Sequence, residues 1–222
     1  MLTTAENQLM TRVGPRTPMG NLLRQYWVPA LLSSEIEADG PARKVKLLGE
    51  DLVAFRVTSG SVGMVVPHCP HRGASLHFGR NEHEGLTCVY HGWKFDINGD
   101  CVDMPSEPAE SNFKDKVKIA SYHTSEMGGI IWVYMGPHEL KPAIPQFEWA
   151  RVPESHRLVN RWIQKNNYMQ AVEGEIFRFL KDLNYTGIFF ENGEVYSVSD
   201  FAEVPYRKPS MFHRNYMFHS KG

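Results

Sequence analysis

Cysteine is scarce in this chain: there are three in 222 residues, at positions 69, 88 and 101. Three thiols suit a reducing compartment, so the expected location is the cytoplasm. An excess of one charge is missing too. The 24 Lys and Arg nearly balance 25 Asp and Glu, leaving a formal net charge of −1 and no broad pull toward nucleic acid or a membrane surface. No apolar run approaches the roughly 18 residues of a membrane span. The polar opening Thr3, Thr4, Glu6 and Asn7 has no signal-peptide core. Internal repeats and low-complexity tracts are also absent. What is there is ordinary: 42% hydrophobic and 22% charged residues, enough apolar material for a real core. The length allows one or two domains at roughly 150 residues each.

The unusual stretch runs from Cys69 to Trp93. It reads Cys69-Pro70-His71-Arg72-Gly73, and, with sixteen residues intervening between His71 and Cys88, a second group reads Cys88-Val89-Tyr90-His91-Gly92-Trp93. A C-x-H pair followed by C-x-x-H supplies two thiolates for one iron and two imidazoles for the other, the donor set of a Rieske [2Fe-2S] cluster. Two short loops meeting tip to tip would hold it. Gly73 and Gly92 follow the histidines where a tight backbone needs freedom in φ, and Pro70 fixes a dihedral between the first two ligands. Zinc is the alternative for two Cys and two His. Zinc sites usually pair Cys as C-x2–4-C and His as H-x3–5-H, whereas here each pair mixes the two.

Along the chain, residues 1–17 are polar and expected to be irregular, with Gly14-Pro15 and Thr17-Pro18 as breakers. Leu22, Leu23, Tyr26 and Trp27 predict a short helix over 19–27, stopped by Pro29. From about residue 43 the pattern is that of strands. Val45 and Leu47 alternate with Lys44 and Lys46, and β-rich runs follow at 52–57 and 62–66, with turns at Gly49-Glu50-Asp51 and Ser59-Gly60-Ser61. Asn98-Gly99 predicts a hairpin whose two turn positions both have positive φ. Further strands are expected at 117–122 and 128–135, the second well buried. Short strands with closely spaced turns argue for a small antiparallel sandwich or barrel. Pro137, Pro142, Pro145 and Pro153 mark 136–156 as a linker. A strand is expected at 157–165, an amphipathic helix over 166–183, and strands near 194–201 and 210–218. The expected division is an N-terminal segment with a short helix at 1–42, a Rieske domain at 43–140, and a linker with a partial second domain at 141–222.

CPHRGASLHFGR at 69–80 and CVYHGWKFD at 88–96 resemble the Rieske domain of ring-hydroxylating oxygenase alpha subunits, the phthalate dioxygenase type most of all. The resemblance starts near Asn21-Leu22-Leu23-Arg24-Gln25-Tyr26-Trp27 and continues to about Gly174. Rieske proteins of bc complexes usually carry an extra Cys soon after each ligand pair; here Gly73-Ala74 and Gly92-Trp93 stand there instead. The resemblance implies an α+β protein: a small antiparallel β Rieske domain followed by a helix-grip catalytic domain, present here in part. It implies that Cys69, His71, Cys88 and His91 hold the cluster. It also implies electrons from an NAD(P)H-dependent flavin or iron-sulfur reductase and a mononuclear non-heme Fe(II). That iron, normally in a neighbouring subunit of a trimer, would activate O2 to hydroxylate or demethylate an aromatic or related organic acid.

The catalytic iron's ligands do not carry over. In the family an Asp and two His follow the segment that 167–176 resembles, but Ile176 is followed here by Phe177-Arg178-Phe179-Leu180. None of the ten His lies between Arg157 and Phe212. Three readings stay open: the ligand segment is missing from the sequence, the chain is a shortened alpha subunit, or it is a Rieske electron carrier without oxygenase chemistry; the flanking resemblance favours the first two. His213 and His219, six residues apart, would be about 20 Å apart on one strand, too far to share a metal with Asp182 or Glu203. Among other residues, Tyr90 and Trp93 are expected to pack over the cluster, His68 to point away, and His77 and His83 to be solvated. Arg72 is a candidate for reductase docking or for packing over the cluster, Cys101 is expected as a structural thiol, and Arg43-Lys44-Val45-Lys46 as a solvated strand face.

Overall fold

The computed structural model describes residues 3–108, 110–161, 163 and 165–172, with the backbone of two further strands at 188–191 and 194–197. It divides into two compact units, residues 6–165 and residues 1–5 with 166–222. Three sheets build the first unit. Strands β1 (Trp27–Leu32), β9 (His123–Met127) and β10 (Ile130–Tyr134) pair in the order β1-β10-β9. Strands β2 (Arg43–Leu47), β3 (Glu50–Arg56) and β4 (Val62–Val65) form a meander, as do β5 (Arg80–Glu82), β6 (Gly85–Thr87), β7 (Lys94–Phe95) and β8 (Cys101–Asp103). All strand pairs are antiparallel, and helices are few, as expected for the β part of the fold.

Strand β3 is the organising element. It is buried at four successive positions because its two faces serve two cores. Leu52 and Ala54 pack with Leu31, Met64, Ile131 and Val133 between the first two sheets. Val53 and Phe55 face the other way, toward Leu86, Phe95, Trp93 and the two motif cysteines. A strand covered on both sides must be apolar there, which is how Leu52-Val53-Ala54-Phe55 reads. Phe55 stands opposite Gly63 on β4. A Cβ at Gly63 would lie 2.5 Å from that ring, so the glycine leaves the room the phenyl group fills. Asn81, itself buried, donates to the carbonyls of Arg56 (2.7 Å) and Gly40 (3.1 Å), tying the third sheet to the end of β3.

Several local expectations are corrected. Thr4–Thr11, expected to be irregular, form a helix, α1, and the next helix is shorter than expected, α2 (Pro18–Leu23), with Thr17 accepting from the Gly20 amide at 3.1 Å and Pro18 in the first turn. Residues 27–32 are a strand despite Pro29. β1 lies at a sheet edge and its register slips between Pro29 and Leu31, the setting in which a strand tolerates proline. Gly128 and Gly129 are a turn rather than strand: both have positive φ, and Met127 pairs with Ile130 across them. The Asn98-Gly99 hairpin forms, but only Gly99 has positive φ, and the Asp96 carboxylate accepts from the amides of Asn98 and Asp100, both at 2.9 Å. Residues 117–122 join their neighbours through isolated bridges at Lys118 and Ser121, and the regular strand follows at β9. The described residues of 157–165 form no strand, and Leu158 is 88% exposed for want of a sheet to join.

Residues 136–156 fold onto the sheet of β1, β9 and β10. The Trp27 indole donates to the Pro142 carbonyl at 3.0 Å, and Phe147, before a short helix α3 (Glu148–Arg151), packs 5.8 Å from the Trp132 ring. In the second unit, residues 168–172 are helical and β11 (Ile188–Glu191) pairs with β12 (Glu194–Ser197). The expected strand at 210–218, His213, His219, Asp182, Glu203 and the Ile176–Phe177 junction lie outside the described residues. Among the described residues no helix is long and apolar enough to cross a membrane.

One ion pair across the sheets gives a pH-dependent prediction. Arg56 grips Glu126 with both nitrogens, at 2.8 and 3.3 Å. Burial pushes the Glu126 carboxyl up, but the Arg56 hydrogen bonds and charge outweigh it and hold it below the usual 4.5. A depressed carboxylate contributes stability above its unfolded value and loses it as pH falls through the folded one. Urea denaturation should therefore show wild-type stability falling more steeply below about pH 4.5 than that of Glu126→Gln; parallel curves would show that the pair contributes nothing.

Candidate metal centre

Two loops at one end of the second core carry the motif. The first leaves β4 and ends at the turn of Leu76–Phe78; the second joins β6 to β7. They close by the same pair of backbone hydrogen bonds. Cys69 N–H donates to the Ala74 carbonyl at 2.8 Å, and Gly73 N–H to the Cys69 carbonyl at 3.0 Å. Cys88 N–H donates to the Trp93 carbonyl at 2.8 Å, and Gly92 N–H to the Cys88 carbonyl at 3.0 Å. The frames match although His71 lies two residues after its cysteine and His91 three. Both loops close on a left-handed glycine, Gly73 at φ +69° and Gly92 at φ +77°.

The four side chains are sorted by depth. Cys69 and Cys88 are each 2% exposed, beside Leu86, Trp93, Phe95 and Met104. His71 and His91 are exposed, with ring centroids 4.4 Å apart. Burial, opposed by the His71 backbone hydrogen bond and reinforced by the neighbouring Cys88 thiol, pushes Cys69 up to about 11. Both sulfurs must lose their protons to ligate, so loading should release protons. Desolvation, with His91 and Arg72 alongside, holds His71 below its ordinary value, favouring the neutral imidazole a metal requires. Two inner thiols and two outer imidazoles could hold an iron pair with sulfur donors on one iron and nitrogen donors on the other. Among the described residues, no three His, Cys, Asp or Glu side chains gather around a single point.

The surroundings revise several expectations. Trp93 is buried and stacks on His71, with centroids 4.7 Å apart and planes 8° from parallel; Phe113 meets its edge at 6.3 Å. Tyr90 does not pack inside: it is 60% exposed, its ring 3.9 Å from that of His91. His68 approaches the Gly73 carbonyl through Nδ1 at 3.2 Å and so braces the first loop. His77 is half-buried against Phe78, its Nδ1 shielded from solvent, whereas His83 is exposed. Arg72 is exposed, and Lys44 reaches over the Phe78 ring at 5.7 Å. Cys101 is a buried thiol at the start of β8, donating to the Asp103 carbonyl at 3.4 Å. A third segment, Met104-Pro105, went unanticipated because nothing in its sequence resembles a ligand motif. Its proline ring lies 3.2 Å from where a Gly92 Cβ would stand.

The two glycines give a graded prediction. Gly73→Ala meets open space and pays only for positive φ, about 1–2 kcal/mol. Gly92→Ala carries the same cost and presses on Pro105. Thermal melts should rank Gly92→Ala below Gly73→Ala and both below wild type; the reverse order would mean that Pro105 yields freely.

A family model described as Rieske [2Fe-2S] domain matches residues 26–123. The chain is 50% identical over 184 residues to the 3-chlorobenzoate-3,4-dioxygenase oxygenase subunit of Comamonas testosteroni, covering 81% of this chain and 43% of that protein. It is 48% identical over 182 residues to the phthalate 4,5-dioxygenase oxygenase subunit of Pseudomonas putida, covering 79% and 40%. The chain thus spans under half the length of these relatives. Among solved structures, NdmA of Pseudomonas putida CBB5 superposes with a TM-score of 0.52 at 32% identity, over 59% of this chain and 40% of that one.

Proposed function

We propose, from the match of residues 26–123 to the Rieske [2Fe-2S] domain model, that the chain is the electron-receiving part of a Rieske oxygenase component. The observation that carries this reading is the depth-sorted donor set on two identically closed loops. In it, Cys69 and Cys88 would hold one iron, and His71 and His91 the other. A cluster held this way stores and passes one electron at a time, at a potential raised by its two neutral ligands to roughly −150 to +300 mV. The protein's own part is to orient and to exclude water. Left-handed Gly73 and Gly92 turn each loop so that its Cys faces inward and its His outward. Trp93, Phe95 and Leu86 keep solvent from the thiolate side. The exposed imidazoles, with Val89, Tyr90 and Arg72 beside them, give a partner a short path to the outer iron.

Residues 43–140 carry the centre, strand β1 from the 1–42 segment completes one sheet, and 141–222 lead toward a catalytic portion. Both relatives above are oxygenase subunits of dioxygenases, and this supports the further reading. A cytoplasmic NAD(P)H-linked flavin or iron-sulfur reductase supplies electrons. A trimer of such chains uses them, with O2 and a mononuclear Fe(II), to hydroxylate or demethylate an aromatic or related organic substrate. No residue of this chain is assigned to that Fe(II). The lack of His between Arg157 and Phe212 favours a second reading, an electron carrier without oxygenase activity. Iron and acid-labile sulfide analysis separates them. About three irons per chain support the oxygenase and about two the carrier, while iron without sulfide would contradict both.

A further inference from the structure

Outside the two loops the structure holds a second pair of imidazoles. His123 begins β9, at the edge of its sheet, and His138 opens the single turn His138–Leu140 that follows β10. Their ring centroids are 4.3 Å apart, with planes at 60°. His71 and His91, the pair on the two loops, stand 4.4 Å apart at 56°. The two pairs share a spacing and a tilt although different elements carry them. Backbone structure holds each ring of the second pair in place. His123 stands opposite Tyr134 in the β9–β10 register, and Tyr134 is buried against Trp27, with centroids 5.9 Å apart. The turn at His138 closes where the Leu140 amide donates to the Pro137 carbonyl at 3.0 Å. Just beyond it, the Trp27 indole fixes the Pro142 carbonyl. Ligands carried on fixed elements keep their geometry when a metal arrives.

Both rings line an open cleft of about 730 Å³, so solutes reach them from water. His138 is exposed and His123 half-buried. Among the described residues no hydrogen bond engages either ring, which leaves their nitrogens free to ligate. Desolvation, then Lys141 and His138, hold His123 below its ordinary value and so keep its ring neutral near pH 7. The donor set selects the metal. Ca²⁺ and Mg²⁺ take oxygen ligands, and among the described residues no third His, Cys, Asp or Glu completes the pair. Asp100, in the same cleft, is already paired with Lys118 at 2.8 Å. The charge of Lys141 also opposes a cation held by electrostatics alone. Two neutral imidazoles suit zinc, copper or nickel, whose affinity for nitrogen does not depend on a neighbouring negative charge.

We propose that His123 and His138 form a second metal site, which takes one divalent late transition metal through one nitrogen of each imidazole, with water in the remaining positions. Such a metal would clip the turn after β10 to the edge strand β9. The test is equilibrium dialysis of the untagged, iron-loaded protein against NiCl2, with nickel and iron counted separately. Wild type should bind nickel saturably. His123→Ala and His138→Ala should each raise the half-saturating concentration by about tenfold or more, since losing even a group behind a ligand weakens a metal site by about 10–100-fold. His138 is exposed in a turn, so its replacement leaves the core intact, and unchanged cluster absorbance in that variant checks this. His156→Ala, which removes another exposed histidine, should leave nickel binding unchanged. Binding that survives either single change, or that falls equally in His156→Ala, would overturn the site, as would the lack of saturable binding in wild type. Nickel is counted apart from iron, so none of these outcomes touches the reading of the cluster.

Discussion

Cys88→Ser will lose the cluster: the visible absorption of the purified protein should vanish, and its melting temperature should fall sharply. The cause is local. Cys88 is 2% exposed and sits beneath the loop whose amide and carbonyl close on Trp93 and Gly92. Serine fits that volume, so the variant leaves the fold's packing almost untouched and removes the thiolate. Iron held by both loops would cross-link segments separated by a β-hairpin, and metal binding energy is folding energy where a site does not persist unloaded. Proteolysis within 69–93 should accelerate in the same variant. Cys101→Ser is the control: Cys101 donates to its own strand's Asp103 carbonyl, so colour should persist. Bleaching by Cys101→Ser with colour retained in Cys88→Ser would exchange their roles.

Trp93→Ala will be the most damaging change outside the ligands. Trp93 is buried within the second core, stacked on His71 and capped edge-on by Phe113. Removing a buried indole typically costs about 3–5 kcal/mol, and the ring contacts add about 0.5–1.5 kcal/mol. Water would then reach the side of His71 that the indole covers, and the cluster potential should shift because burial helps to set it. Trp93→Phe separates packing from polarity. The Trp93 Nε1 has no protein partner, so deleting it forfeits no hydrogen bond among the described residues. Denaturation midpoints should place Trp93→Phe close to wild type and Trp93→Ala far below. Equal loss in both would mean that the indole N–H has a role in the loaded protein.

The centre was legible because ligand chemistry restricts residue type more tightly than packing does. Two Cys and two His at those spacings admit few readings, and the glycines beside them mark left-handed turns. The strands of β2, β3 and β4 were legible for a similar reason: alternation in Arg43–Leu47 and the continuous apolar run in β3 are direct records of one-sided and two-sided burial. What escaped depended on neighbours distant in sequence. Pro29 reads as a breaker until β1 is known to be an edge strand paired with β10, more than a hundred residues away. Leu158 and Ile163 lie in a stretch that reads as a strand, yet both are exposed and the described residues there join no sheet. Tyr90 and Trp93 are both aromatic and three residues apart, and only the loop's closure decides that one turns outward and the other in. Pro105 at the second loop and the pairing of His123 with His138 arise from juxtapositions that no local motif announces.

In the proposed centre two imidazoles, those of His71 and His91, would bind one iron of a two-iron cluster whose other iron would be held by Cys69 and Cys88. Electron spin echo spectroscopy of the dithionite-reduced protein, grown with 15N-histidine, tests it directly. Couplings from two histidine nitrogens should appear, and His71→Cys or His91→Cys should each remove one. A reduced protein with no such couplings, or with couplings unchanged in both variants, would contradict it.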